Sequence, residues 1–66
     1  MKKIVMKVID GWASLTESQQ ETYFYGEGMI GFCEEILSNH ELETLTTDDG
    51  TFQKLLDTMW MLYNLD

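Results

Sequence analysis

Proline is absent from this 66-residue chain, and cysteine and histidine occur once each. Without proline, no position forces a helix to end through ring clash and a missing amide donor. A single cysteine cannot close an internal disulfide, and Cys33 with His40 cannot supply the Cys/His set of a structural zinc site. No stretch approaches the roughly 18 apolar residues of a membrane-spanning helix. Lys2 and Lys3 precede a short apolar run. Lys7 and Asp10 interrupt that run and no small-residue cleavage site follows, so a secretory signal is not expected. A reducing cytoplasm suits the lone thiol, the host's cytoplasm if the chain is phage-encoded. The initial Met1 and the polar end Asn64-Leu65-Asp66 suit a complete small gene product.

Positive charge is scarce as well. Residues 1–9 hold Lys2, Lys3 and Lys7 and no acid, whereas all 12 acidic residues lie from Asp10 onward against Lys54 alone, for a net charge of −8. A body so one-signed repels itself and nucleic acid and steers towards basic surfaces. The apolar fraction of 44% is too high for a disordered acidic tail. Sixty-six residues make one domain at most. A core of that size rarely supplies more than about 3–5 kcal/mol without a disulfide, a metal or a partner subunit. Self-association is the support still open, so a homodimer is expected.

Placed at about 100° per residue, Ile4, Val5, Val8, Ile9 and Trp12 share one face of a helix over residues 2–13, opposite Lys3, Lys7, Asp10 and Ser14. Ser14-Leu15-Thr16-Glu17 reads as a capping box, in which a hydroxyl and a carboxylate satisfy each other's backbone amides. A second helix is predicted from there to about Asn39, with Tyr23, Gly26, Met29, Ile30, Cys33, Ile36 and Leu37 inward and Gln20 on the polar side. Gly26, Gly28 and Gly31 strain that reading, since a mid-helix glycine costs about 1 kcal/mol relative to alanine. Gly26, on the apolar face, would admit a neighbouring helix, and a break or kink is expected near Gly28 and Gly31. Residues 40–50, rich in Thr and Asp, read as a connection. A closing helix over about 50–65 places Phe52, Leu55, Leu56, Met59, Leu62 and Tyr63 inward.

The expected fold is all-α, a small three-helix unit. The competing reading is α+β, with strands at Lys3–Ile9 and Thr22–Tyr25 and helices after Gly28 and Gly50. Tyr23-Phe24-Tyr25 before a glycine is its strand signal.

No catalytic chemistry is expected. Cys33 and His40, as nucleophile and base, stand seven residues apart, a rise of roughly 10 Å on one helix, beyond hydrogen-bond reach. Asp48-Asp49-Gly50 lacks the alternating ligands and closing glutamate of a calcium loop. Gly26-Glu27-Gly28 is followed by no lysine in phosphate-loop register. No enzyme, metal or cofactor is therefore predicted.

Two surface features remain. Glu17, Glu21, Glu27, Glu34 and Glu35 form one solvent face of the predicted second helix, a candidate nucleic-acid mimic. Over its rise of about 27 Å, one DNA strand carries about eight phosphates. Five carboxylates are sparse against that unless a dimer or further acids contribute. Phe24 falls on the charged face of the second helix and Met61 and Leu65 on the polar side of the last, so Met59-Trp60-Met61-Leu62 is apolar all round. This excess marks an interface that includes Phe24, Trp60, Met61 and Leu65. Small acidic proteins without catalytic residues are common among phage and mobile-element inhibitors of host nucleic-acid-binding proteins. The leading expectation is such an inhibitor, of the anti-CRISPR or anti-restriction kind, blocking a basic surface. The alternative is a regulatory or structural homodimer, antitoxin-like or an assembly protein, held by its last helix.

Overall fold

A computed structural model describes residues 1–65, with side chains placed through Asn64. The described residues are all-helical, as expected, but form five helices rather than three, in the order α1 (Lys2–Ala13), α2 (Glu17–Tyr25), α3 (Gly28–Ile36), α4 (Asn39–Thr47) and α5 (Asp49–Leu65). They pack into a bundle measuring 29 × 18 × 17 Å. No strand occurs among the described residues, and both segments of the competing α+β reading are helical.

The outer helices follow their apolar periodicity. Val8 and Trp12 of α1 are fully buried, with Ile4, Val5 and Ile9 packed beside them and Lys3, Lys7, Asp10 and Ser14 exposed. Leu55 and Met59 bring α5 into the same core. The core is completed by Phe32 and Cys33 of α3, Leu37 and Leu45. Trp12 meets Phe32 edge-on at 5.4 Å between ring centroids, and Tyr23 meets Phe32 at 5.2 Å. Such edge-to-face pairs add about 0.5–1.5 kcal/mol beyond the area they bury.

The predicted capping box lies two residues further along. Thr16, extended at φ −71° and ψ 161°, is the N-cap of α2. Its hydroxyl accepts from the Gln19 amide at 3.2 Å, and Gln19 Oε1 accepts from the Thr16 amide at 2.9 Å. Ser14 cannot fill that role because its backbone, at φ −82° and ψ −10°, still continues α1. Its hydroxyl donates back to the Gly11 carbonyl at 2.8 Å. Gln20, predicted to face solvent, is buried, and its Nε2 donates to the Trp12 carbonyl at 2.8 Å. A C-terminal carbonyl of α1 needs such a donor, and that need draws the side chain inward. Gln20 Oε1 has no partner among the described residues.

The long second helix is two helices. Gly26 ends α2, and Gly28 opens α3 at φ +83°. An L-residue there costs roughly 1–2 kcal/mol, so glycine is what allows the turn. The turn resets the helical phase. Phe32 and Cys33 point into the core, whereas Ile30, predicted inward, is exposed. Gly26 is exposed and admits no helix. The close approach is at Gly11, where a Cβ would lie 3.1 Å from the Phe32 ring. Gly31 stands against Glu27, where an added Cβ would come within 2.5 Å of the Glu27 Cβ.

The predicted connection at 40–50 is mostly α4. Ser38-Asn39-His40-Glu41 forms a full capping box, with Ser38 Oγ accepting from the Glu41 amide at 3.2 Å and Glu41 Oε1 accepting from the Ser38 amide at 3.0 Å. Leu45 then plugs the core, and packing outweighs the poor helix propensity of the threonines. Asp48 Oδ1 accepts from the Thr51 amide at 3.2 Å and starts α5.

Candidate partner-binding surface

The break at Gly26 disperses the predicted acidic face. Glu17, Glu21, Glu27, Glu34 and Glu35 are all exposed, but they belong to α2, the turn and α3 rather than to one straight helix. Because α3 folds back, they no longer run along a single line of about 27 Å. Glu27 and Glu35 line one side of α2, whereas Glu17 and Glu21 share the side of α2 that carries Phe24.

On one side, Leu15, Gln19, Thr22, Tyr23, Glu27 and Glu35 line an open cleft of about 470 Å³. The Tyr23 hydroxyl donates to Glu35 Oε2 and ties α2 to α3. That hydrogen bond pushes the phenol above its ordinary value, with burial and the charges of Glu35 and Glu27 adding to it.

The other side is aromatic. Phe24, predicted to project among charges, is half-buried and stacks on Trp60 (4.9 Å, 29° between planes) and on Tyr63 (5.5 Å, 15°). Its position one turn from Gln20 carries it towards α5. Tyr25 meets Phe24 edge-on at 5.1 Å, and Trp60 lies 5.9 Å from Tyr63. The cluster is not closed over: Tyr25 is 74% exposed and Trp60 43%. Burial raises the Tyr63 phenol above its ordinary value, and the negative charges of Glu21 and Glu17 raise it further. Glu17 and Glu21, seven and three residues before Phe24 on α2, share its side of the helix. Phe24 also lines a second, apolar groove of about 370 Å³ with Gly28, Met29, Ile30, Phe52 and Leu56.

Of the predicted interface residues, Trp60 and Met61 are exposed on α5, and the side chain of Leu65 lies outside the described residues. Tyr25 is absent from that set, and Tyr63, predicted inward, does pack against the core while also joining this cluster. The sequence signal for Tyr25 is that it follows Phe24 on a helix whose neighbouring side is charged, and Tyr63 lies three residues after Trp60.

Cys33 and His40 do not share a helix. The thiol is fully buried in α3, and burial pushes it up to about 11, while His40 is exposed on α4. Among the described residues, no group of three or more His, Cys, Asp or Glu converges as metal ligands would. Lys7 and Glu41 form the one ion pair of the described residues, at 3.2 Å. No described helix is long and apolar enough to cross a membrane.

Fold and surface together define a small all-helical protein with an acidic exterior and one exposed aromatic cluster. No known protein-family profile matches the chain, and comparison with characterised proteins and with solved structures finds no significant likeness.

Proposed function

We propose that this chain is a non-enzymatic acidic binding protein that occupies a basic, nucleic-acid-binding surface of another protein and so inhibits it. A phage or mobile-element inhibitor of host defence, of the anti-CRISPR or anti-restriction kind, would act in this way. One observation carries the reading: of the carboxylates on the described surface, only Glu41 is matched by a cation of the chain itself. The remaining negative field is uncompensated and complements a basic groove. Five dispersed glutamates are too few to trace a phosphate backbone, so the acids act by steering and covering rather than by close mimicry.

The test starts from a nucleic-acid-binding partner captured with the wild-type protein from its native host. Added protein should displace nucleic acid from that partner, and the effect should weaken steeply as salt rises. Reversing Glu17 and Glu21 to lysine should weaken binding by at least about tenfold, mostly through slower association. Displacement that ignores both salt and charge reversal would overturn the reading.

A second reading is a regulatory or structural homodimer held by α5. It is favoured by the exposure of Trp60 and Met61 on one helix, with Met61 62% exposed. An apolar seam of this kind should be nearly indifferent to salt.

A further inference from the structure

The aromatic cluster and the two glutamates beside it form a surface of mixed chemistry that net charge alone does not describe. We propose that Phe24, Tyr25, Trp60 and Tyr63, flanked by Glu17 and Glu21, bind arginine side chains of a basic protein segment. The inference rests on the reading that the partner is basic, and it adds which basic residue is recognised and by which atoms.

Three observations carry it. First, the rings are held in place before any partner arrives. Phe24 is stacked on both Trp60 and Tyr63, and Tyr25 is set edge-on against it. A pre-ordered aromatic platform binds with less loss of side-chain freedom than one assembled on contact. Second, Trp60 and Tyr25 remain exposed, at 43% and 74% of the residue. A planar guanidinium stacks on such faces, whereas a lysine ammonium is a compact, strongly hydrated point charge. Third, Glu17, Glu21 and Phe24 follow one another at spacings of four and three residues along α2, so both carboxylates lie on the side of the helix that carries Phe24 to the other rings. A carboxylate beside a ring face offers a guanidinium its bidentate hydrogen-bond partner while the ring takes its flat side. The apolar groove that Phe24 shares with Met29, Ile30, Phe52 and Leu56 continues the surface and would take an aliphatic neighbour of the arginine.

The same charges argue against the other occupants. An isologous seam would set this patch against itself, and the chain contains no arginine with which a second copy could answer Glu17 and Glu21. Phosphate-bearing partners, nucleic acid or an anionic membrane, would meet like charge.

The experiment titrates the intact protein with a short arginine-glycine repeat peptide and with a lysine-glycine peptide of the same length and charge. The indole signal of Trp60 is followed by nuclear magnetic resonance, with the buried Trp12 as internal control. The arginine peptide should bind about fivefold tighter or better and shift Trp60 but not Trp12. Tyr25→Ala, a change at the most exposed ring, should bring arginine down to the level of lysine, and Trp60→Ala, which lacks the reporter indole and is followed by titration calorimetry, should do the same. Glu17→Gln with Glu21→Gln should weaken arginine binding more than Glu34→Gln with Glu43→Gln, which alters charge equally. Equal binding of the two peptides, or a Trp60 signal that does not move, would overturn the inference while leaving a purely electrostatic acidic surface in place. Failure of both peptides to bind would remove the basic-partner reading as well. Self-association that Tyr25→Ala abolishes would give the face to a second copy instead.

Discussion

The indole nitrogen of Trp12 donates a 3.0 Å hydrogen bond to the main-chain carbonyl of Met59. The two residues lie in α1 and α5 and are both fully buried. Beside that bond, the Trp12 carbonyl accepts from Gln20 Nε2, so one residue joins α1, α2 and α5. Trp12→Phe should remove the indole bond, worth about 1 kcal/mol, and leave a partial void. A total loss on the order of 2–3 kcal/mol is expected in urea unfolding. A loss below about 0.5 kcal/mol would show that the bond contributes nothing net.

Gly28 supplies the turn that separates α2 from α3. Its φ is +83°, and a methyl group added to its Cα would meet only open space, so any penalty for substitution is conformational and not steric. Gly28→Ala should destabilise by roughly 1–2 kcal/mol, and Gly28→Asn by less, because asparagine tolerates this region better. Thermal melts of the two variants check the order. An alanine variant more stable than the parent would mean that the chain prefers the continuous helix.

The Ser38–Glu41 box gives α4 its start and gives stability a dependence on pH. Ser38→Ala should cost about 1 kcal/mol at neutral pH. Glu41 is held below the usual carboxylate range, first by accepting from the Ser38 amide and then by the Lys7 hydrogen bond. A carboxyl depressed in the fold contributes stability that is complete above its unfolded pKa and is lost as pH falls through the lower folded value. Melting temperature should therefore decline below about pH 4. Glu41→Gln keeps an acceptor for the amide but does not titrate there, so its melting temperature should depend less on pH across that window.

Cys33 should be inert in the folded protein. Its thiol is fully buried and pushed up to about 11, and only the thiolate reacts with alkylating reagents. Iodoacetamide at mildly alkaline pH should label it slowly, and urea should speed labelling in parallel with unfolding. Rapid labelling without denaturant would mean that the packing around α3 opens readily.

Part of this architecture is open to reading because it is local. The faces of α1 and α5 follow from a 3.6-residue period that needs no knowledge of neighbours: Val8, Trp12, Leu55 and Met59 could only lie inward. The Ser38-to-Glu41 box is equally local. Its motif stands in the sequence, but the Thr and Asp residues after it outweigh it in a reading based on turn composition. The first box reads two residues early, because Ser14 and Thr16 both fit the pattern and only the length of α1 chooses between them.

The rest depends on contacts between distant segments. A helical wheel through Gly26–Gly31 presumes one continuous phase, so it turns Ile30 inward, misses Phe32 and sets five glutamates in line. Gly28 permits a turn, but permission is not a decision. What decides is the burial of Phe32 against Trp12 and Gly11, a gain that no local preference encodes. The aromatic surface has the same origin. Phe24 looks stranded among charges because its partners, Trp60 and Tyr63, lie more than thirty residues away. The sequence by itself determined the helical class, the acidic charge and the inward faces of the end helices, all properties of short range. Only tertiary packing decided the number of helices, the division of the carboxylates and the meeting of α2 with α5, because each is settled by burial shared between segments far apart in the chain.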